Sequence, residues 1–338
     1  MIIVENFSLK PFNTFGIEAE ARYFAEMQSV SDIQIFLNTQ YHKRKPKLIL
    51  GGGSNILFTK DFEGAVIKIN TKGILKIKET TDNVFLNVQA GEIWDDFVNY
   101  CLENNYGGLE NLSLIPGNVG SCPIQNIGAY GVEVKDYIES VELLDMQTLQ
   151  MSELNNKECR FGYRDSIFKQ ELKGKVIILS VTFKLTKNHT LHLEYGAILE
   201  ELKKNEIKIP TIQTVAQAVC NIRRCKLPDP KEIGNAGSTF KNPSVNENIF
   251  TKLKSKFPNI SSYSQPDGTF KLPAGWLIEQ CEFKGYREGD AGVHKNQALV
   301  LVNYDNATGE DILNLANKIQ KSVAVKFGIN LELEVNVV

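Results

Sequence analysis

The feature that most constrains this fold is a stretch at residues 105–131 that follows neither the helical nor the strand period. It contains six glycines and two prolines. Loops this long are uncommon inside a compact domain, and most are functional or disordered. The leucine, isoleucine, valine and tyrosine content here argues against disorder. We therefore expect an ordered loop whose main-chain groups wrap a large flat ligand, although loop length gives equal weight to an ordinary packed loop.

Composition excludes several classes of protein. The chain has 338 residues, 42% of them hydrophobic and 23% charged, which suits two or three globular domains. A formal net charge of -2 argues against a nucleic-acid partner. The first residues lack a signal-peptide pattern, and no apolar run is long enough to cross a bilayer. We predict a cytoplasmic protein without membrane insertion, and we expect a monomer.

Hydrophobic periodicity predicts a mixture of strands and helices. The final helix has the clearest pattern, with Thr308 able to cap its start and Gly328 able to end it. The strands at 75–78 and 84–88 alternate, so each should have one buried face. Strands and helices do not alternate strictly, which favours an α+β fold. Predicted strands are 47–50, 64–69, 75–78, 84–88, 138–144, 176–185, 191–195, 297–303 and 331–335; predicted helices are 92–104, 211–225, 249–256, 274–281 and 308–327.

A glycine run follows the strand at 47–50. Successive glycines let backbone N–H groups converge on an anion, because no side chain blocks the approach. The pattern matches neither the Rossmann nor the P-loop fingerprint, and taken alone it favours a plain turn. The run consists of Gly51, Gly52, Gly53, Ser54 and Asn55.

Two further segments carry polar groups suited to catalysis. Arg164 lies beside Tyr163 and Asp165, and a guanidinium can stabilise a developing oxyanion. Ser238 lies between small residues that let a ligand come close, but no nucleophile-elbow motif surrounds it. Considered separately, the Arg164 segment favours a surface Arg–Asp pair. The Ser238 segment, taken alone, favours a serine that only forms hydrogen bonds within a turn.

The remaining polar candidates are weaker. Glu332 and Glu334 share one face of the predicted last strand, and the pattern does not separate them or exclude a solvated face. Arg223, Arg224 and Lys226 favour the basic end of a helix. No metal site is predicted, because the histidines at 42, 189, 192 and 294 and the six cysteines lack ligand spacing. We expect the cysteines to be reduced thiols.

Taken together, these segments resemble the UDP-N-acetylenolpyruvoylglucosamine reductases. The resemblance runs from about Asn13 to Glu334, and its most specific parts are the long loop and the segment around Ser238. The motifs, in the family's order, are NTFG from Asn13, GGGSN from Gly51, IPGNVGSCPIQNIGAYG from Ile115, CRFGYRDS from Cys159, KLPDP from Lys226, GNAGSTFKNP from Gly234, AGWLIEQC from Ala274 and LELEV from Leu331.

The resemblance implies an FAD-binding fold of the vanillyl-alcohol-oxidase type, with two α/β subdomains and a C-terminal α+β substrate domain. The implied bounds are 1–70 with 325–338, then 71–226, then 227–324. It also implies non-covalent FAD, NADPH as hydride donor, and reduction of UDP-N-acetylglucosamine enolpyruvate to UDP-N-acetylmuramate for peptidoglycan.

The family's roles fall on matching residues of this sequence. Ser238 would protonate the substrate carbon, and Arg164 and Glu334 would stabilise the enolate. Tyr163, Tyr195, Lys226, Asn242 and Gln297 match substrate-binding positions, and Tyr195 indicates the subtype with a tyrosine-bearing loop. The implied FAD-binding residues are Gly51, Gly52, Gly53, Ser54, Asn55, Pro116, Gly117, Gly120, Ser121, Ile127, Gly128, Tyr130 and Gly131.

Three positions depart from the family pattern. Leu333 stands where proline is common, Asn336 where a basic residue is common, and Cys122 where the residue is usually small. Asn336 therefore lacks the positive charge that the family pattern would offer a cofactor at this position, whereas Glu334 is unaffected. Two rivals remain. The first is an FAD-linked oxidase or dehydrogenase of the same fold; many of these tether the flavin through a histidine near the glycine run, and His42 lies outside that run. The second is an inactive nucleotide-sugar binder.

Overall fold

The structure is a computed structural model that describes residues 1–39 and 45–338. Its contacts divide the described chain into two units, each assembled from separate segments. No helix within these described ranges is long and apolar enough to cross a membrane. The first unit comprises Met1–Phe7, Ala21–Gly53 and Phe62–Cys225, and the second comprises Ser8–Glu20, Ser54–Asp61 and Lys226–Val338.

A mostly parallel sheet begins the first unit. Its strands lie in the order Ile3–Ser8, Glu20–Met27, Phe62–Ile69 and Lys47–Leu50, and the last three are parallel. The central strand buries four consecutive residues, as expected where both faces of a parallel sheet are covered. The helix Val30–Asn38 is capped by the Ser29 side chain. The predicted strands at 47–50 and 64–69 are confirmed.

An antiparallel sheet forms the rest of the first unit's β structure. Its order is Met151–Asn155, Ile138–Asp145, Val176–Thr186, Asn83–Gln89 and Ile74–Glu79. Asn83–Gln89 buries alternate residues, as predicted. The buried face expected for 75–78 is wrong, because Ile74–Glu79 is an edge strand and only Ile74 packs against the core.

The helix Trp94–Glu103 lies close to its predicted position and buries aromatic side chains. The rings of Phe97 and Phe183 lie 4.8 Å apart. Trp94 Nε1 donates to Leu112 O over 2.9 Å, so this helix also anchors the long loop.

Two further helices, Gly196–Lys204 and Ile212–Lys226, share a small hydrophobic core. The second was predicted, whereas the first was not. Residues 191–195 form no regular strand, because Leu191 and Leu193 pack against these helices instead of against a sheet.

The second unit contains small sheets and three α-helices. The helix Gly309–Phe327 has the predicted ends, with a capping box from Thr308 and Asp311 and Gly328 at φ 69°. The other helices, Glu247–Lys256 and Ala274–Gln280, are also close to prediction. The four-stranded sheet has the order Gly234–Asn235, Leu301–Asn303, Ala291–Val293 and Arg287–Glu288. The three-stranded sheet has the order Ser244–Val245, Phe270–Lys271 and Tyr263–Ser264. The two-stranded sheet is a parallel pair of Ile56–Leu57 with Asn336–Val337.

Two predicted strands of the second unit need correction. The prediction at 297–303 reduces to Leu301–Asn303, because His294 N donates to Val300 O and closes a turn over 2.9 Å. Residues 331–335 make one isolated bridge, from Leu333 to Phe240. The regular terminal strand lies later, at Asn336–Val337.

Candidate functional site

The glycine run of the first unit crosses the long loop at very close range. A Cβ added to Gly52 would lie 2.7 Å from Gly117 Cα and 2.9 Å from Asn118 Oδ1. Only glycine fits at this crossing, because the obstructing atoms include backbone. Lys68 Nζ donates to Gly51 O over 2.6 Å, which fixes the start of the run.

The long loop is held by hydrogen bonds to the neighbouring residues Ala90 and Gly91 and by one bond within itself. Asn118 Nδ2 donates to Gly91 O over 2.7 Å, and Gly120 N donates to Ala90 O over 2.9 Å. Ser121 Oγ donates to Asn118 O over 2.6 Å. Pro116 is exposed and Gly117 has a φ of 119°. The loop therefore presents glycine-rich backbone on a rigid support.

The end of the loop forms a tight hairpin. Its strands Gly128–Ala129 and Val132–Glu133 are joined by Tyr130 at φ 50° and Gly131 at φ 84°. Two positive φ values in a two-residue turn define the type I′ hairpin, whose twist matches the flanking strands. Ile127 O accepts from Val134 N over 2.8 Å and extends the hairpin.

Asn126 connects this hairpin to the arginine segment. It is fully buried, and its Nδ2 donates to Gly162 O over 2.9 Å and to Glu133 Oε2 over 3.1 Å. Its Oδ1 accepts from Lys135 N over 3.1 Å. A buried amide with all of these bonds made holds the two segments in one arrangement.

Arg164 lies in a two-residue turn between Gly162 and Asp165 and has a φ of 53°. Its Nη2 donates to Gly128 O over 2.7 Å, and its guanidinium carbon lies 5.3 Å from the centre of the Tyr163 ring. The structure thus brings Arg164 against the predicted cofactor hairpin and places Tyr163 beside the Arg164 guanidinium.

Tyr195 immediately precedes the helix Gly196–Lys204 and is 44% exposed. Its ring meets the edge of the Tyr130 ring, with centroids 5.3 Å apart. Burial raises the pKa of Tyr130, and the neighbouring Arg223 guanidinium opposes that rise. Arg223 Nε donates to Leu114 O over 3.3 Å, so this arginine supports the long loop in addition to ending a helix.

Ser238 lies in the second unit in a turn held from both sides. Gly237 before it has a φ of 70° and donates its N–H to Asn235 Oδ1 over 3.0 Å. Thr239 after it donates its N–H to Leu299 O over 2.8 Å. The serine itself is half-buried.

The terminal segment separates the two glutamates that the sequence left equivalent. Glu332 is 74% exposed at its side chain and pairs with Lys241 Nζ over 3.1 Å. Glu334 is half-buried, and its N–H donates to Thr239 O over 2.8 Å. Ser238 therefore lies one residue from the position that pairs with Glu334.

Asn55, from the end of the glycine run, contacts the same terminal segment. Its Nδ2 donates to Glu334 O over 3.3 Å, and its carbonyl accepts from Asn336 N and Nδ2 over 3.2 and 2.9 Å. Ser54 is half-buried in the second unit. Asn336, where the family pattern has a basic residue, here has a structural contact.

Two predicted substrate residues lie near the start of the helix Ala274–Gln280. Asn242 Oδ1 accepts from Ala274 N over 2.9 Å. A Cβ on Gly275 would lie 3.1 Å from Gln297 Oε1, so Gln297 lies beside the same turn. Lys226 is exposed at the beginning of the second unit's main segment.

The histidines and cysteines are the candidate metal ligands of this sequence, and they form no metal site within the described residues. In the described ranges, no group of three His, Cys, Asp or Glu residues could hold a metal. His189 Nε2 lies 3.1 Å from Asn105 O, and His294 is buried. The interpretation of His42 as structural or surface lies outside the described residues. The six cysteines are free thiols, and burial raises the pKa of Cys101 and Cys122 well above the usual value.

Sequence reasoning missed the supporting side chains Lys68, Asn111 and Asn126, and it gave Arg223 only the role of a basic helix end. All four donate hydrogen bonds to backbone carbonyls. The long loop could have indicated such residues, because backbone groups outside helices and sheets need side-chain hydrogen-bond partners.

Comparison with known proteins first defines the class. Residues 21–148 match the family model of an FAD binding domain. A solved solvent-stable cholesterol oxidase has the same fold, with a TM-score of 0.52 at 8% identity over 98% of this chain and 86% of that one. The chain is therefore an FAD-binding protein with the predicted flavin-oxidase type of fold.

The family follows from closer matches. Residues 229–338 match the C-terminal domain of UDP-N-acetylenolpyruvoylglucosamine reductase. The reductase of that name from Flavobacterium johnsoniae is 54% identical over 100% of both chains. The solved reductase from Thermus caldophilus has a TM-score of 0.69 at 24% identity, covering 99% of this chain and 98% of that one. This chain belongs to the UDP-N-acetylenolpyruvoylglucosamine reductase family.

Proposed function

We propose that this protein is an FAD-containing, NADPH-dependent reductase that converts UDP-N-acetylglucosamine enolpyruvate to UDP-N-acetylmuramate for peptidoglycan synthesis. The observation that carries the proposal is 54% identity over the full length of a reductase of that name. We further propose a cytoplasmic monomer. Its FAD subdomains would comprise 1–70 with 325–338 and 71–226, followed by a substrate domain at 227–324.

The residues present fit a dinucleotide. Gly52 and Pro116 are exposed and the glycines carry no side chain, so backbone N–H groups of the run and of the long loop can meet a diphosphate. When bound, FAD supplies the hydride chemistry between NADPH and the substrate. The proposed contacts are Gly51, Gly52, Gly53, Ser54, Asn55, Pro116, Gly117, Gly120, Ser121, Ile127, Gly128, Tyr130 and Gly131.

In this proposal Ser238 supplies the proton that completes the reaction. Reduction of the enolpyruvyl double bond leaves a carbon that must accept a proton, and a hydroxyl on a fixed turn can be aimed at it. The turn is fixed by the bonds of Gly237 and Thr239. Proton transfer by a positioned group contributes roughly a hundred- to ten-thousand-fold in rate.

Arg164 and Glu334 would control the charge that develops before the proton arrives. A guanidinium held in place stabilises an enolate oxygen without reorganising during the reaction. The bond from Arg164 to Gly128 O provides such a hold. Glu334 is half-buried, and its backbone N–H donates to Thr239 O. It would help to stabilise the enolate from this position beside the Ser238 turn.

The substrate would be held by polar side chains from several segments. Lys226 is a flexible cation suited to a phosphate. Tyr195 offers an exposed aromatic face, and Asn242 and Gln297 offer amides at the start of a helix. We propose these four, together with Tyr163, as the residues that bind the UDP-sugar.

Anaerobic half-reactions test the proposal. The flavin is reduced with NADPH, and the UDP-sugar is then added while flavin absorbance is followed. We expect the absorbance to return with substrate, and Ser238→Ala to slow that step at least about a hundredfold while leaving FAD content and NADPH oxidation nearly intact. Ser238→Cys, which keeps a dissociable proton, should retain more activity than Ser238→Ala.

Two results would contradict this assignment. Reoxidation by oxygen but not by the UDP-sugar would favour an oxidase of the same fold. Loss of FAD from Ser238→Ala would indicate that the serine only stabilises its turn.

A further inference from the structure

Asn111 is a buried residue of the long loop whose hydrogen bonds reach two distant segments. It lies in the short helical turn Glu110–Leu112 and is 1% exposed. Its Nδ2 donates to two backbone carbonyls, Tyr130 O and His192 O, each over 2.9 Å. One amide group therefore joins three segments of the first unit.

Both accepting segments lead to tyrosines of the proposed site. Tyr130 is in the turn of the cofactor hairpin, and His192 lies three residues before Tyr195. The two tyrosine rings meet edge to face, with their centroids 5.3 Å apart. Residues 189–195 form no regular secondary structure, so side chains must hold this segment. His189 is held at Asn105 O, and Asn111 holds the part nearer to Tyr195.

The acceptor end of the Asn111 amide shows which half of the group matters. Asn111 Oδ1 is buried and has no hydrogen-bond partner among the residues that the structure describes. A buried acceptor without a partner lowers stability, and an apolar side chain of similar size would avoid that loss. The two hydrogen bonds that Nδ2 donates therefore account for an asparagine at this position, whereas its Oδ1 does not.

We propose that Asn111 is a positioning residue for the UDP-sugar site, setting Tyr195 and the Tyr130 turn in one arrangement before substrate binds. This inference rests on the proposed function, since it assigns Tyr195 to the substrate. A residue that binds ligand works best when its own position is locked by surrounding hydrogen bonds. Losing that lock should weaken substrate use and leave the glycine crossing, which is made of other residues, intact.

Asn111→Asp is the most informative variant, because it keeps the shape and replaces both N–H donors with oxygen. Its carboxylate would face two carbonyl oxygens. With flavin-loaded enzyme we expect the KM for the UDP-sugar to rise at least about tenfold. FAD content and the rate of flavin reduction by NADPH should change less than the KM does, because the Tyr130 turn supplies only two of the proposed FAD contacts. Because a protonated carboxyl can donate one bond, the KM ratio to wild type should shrink from pH 8 to pH 5.5.

Hydrogen exchange gives a readout independent of turnover. In the flavin-loaded protein without substrate, Asn111→Asp should speed amide exchange at residues 192–196 and 130–131 by about tenfold. Asn156→Asp is a matched control, since Asn156 Nδ2 also donates to two carbonyls, Lys135 O and Ile138 O, over 2.7 and 2.8 Å. The control should leave both the KM and exchange at 192–196 unchanged.

The proposal is overturned if Asn111→Asp keeps the wild-type KM and exchange pattern, or if the control changes them equally. Should the aspartate variant not fold, Asn111→Ala removes the same donors without adding charge, and the same comparisons apply. Failure of the proposed function would look different. Wild-type enzyme would then not turn over the UDP-sugar, while the exchange comparison would still test the hydrogen bonds of Asn111.

Discussion

Replacing Gly52 with alanine tests the crossing of the glycine run and the long loop. The new Cβ would lie 2.7 Å from Gly117 Cα and 2.9 Å from Asn118 Oδ1. Carbon atoms pack best at about 3.5–4.0 Å, so the two backbones would have to separate by roughly 1 Å. Asn118 resists this movement because its Nδ2 is bonded to Gly91 O. Overpacking of this kind costs about 1–3 kcal/mol in the free energy of unfolding.

The assay is thermal unfolding of flavin-free protein together with an FAD titration. A loss of about 1–3 kcal/mol should lower the Tm by roughly 1.5–4 °C. If the same steric cost of about 1–3 kcal/mol opposes the FAD-bound conformation, the affinity for FAD should fall by about 5- to 150-fold. Gly51→Ala is the control for the Tm, because its Cβ would lie 3.7 Å from Asn118 Cβ, an ordinary contact. Wild-type Tm and FAD affinity for Gly52→Ala would refute the reasoning, as would an equal loss of Tm in Gly51→Ala.

Three further outcomes are expected. Tyr195→Phe should weaken reoxidation by the UDP-sugar more than reduction by NADPH, and equal losses in the two half-reactions would count against a substrate role. Steady-state kinetics should be ping-pong with inhibition by excess substrate, because both ligands use one cofactor face in turn; intersecting double-reciprocal lines would contradict this. Burial, with a smaller contribution from Lys295, lowers the pKa of His294, so the unfolded ring binds a proton that the folded ring resists. The free energy of unfolding should therefore fall as pH drops below about 6.5, by up to roughly 1.4 kcal/mol per pH unit. Urea titrations of His294→Gln should lose that slope, and an unchanged slope would refute the assignment.

Local patterns predicted those elements whose boundaries have a local cause. Gly309–Phe327 begins at a capping box and ends at a left-handed glycine, and both signals are written in neighbouring residues. Lys47–Leu50 was predicted to the residue. The family resemblance supplied the cofactor and substrate class, which no periodicity could have given.

Alternation failed where a neighbouring element decides burial. Residues 191–195 and 75–78 both alternate, yet the first packs on helices and the second is an exposed sheet edge. A period of two shows that a segment has two faces, and it does not show what covers either face. The same limit applies to residues 297–300, which close a turn.

By itself, the sequence determined the family, the glycine-rich loops and the chemistry available to Ser238, Arg164 and the two terminal glutamates. Tertiary structure alone decided that Glu332 pairs with Lys241 in solvent while Glu334 is half-buried beside the Ser238 turn. It alone assigned the Asn111 amide to carbonyls 19 and 81 residues away. The physical reason is that burial and hydrogen-bond partners depend on which distant segments meet, and residue types spaced along one strand or loop do not specify that meeting.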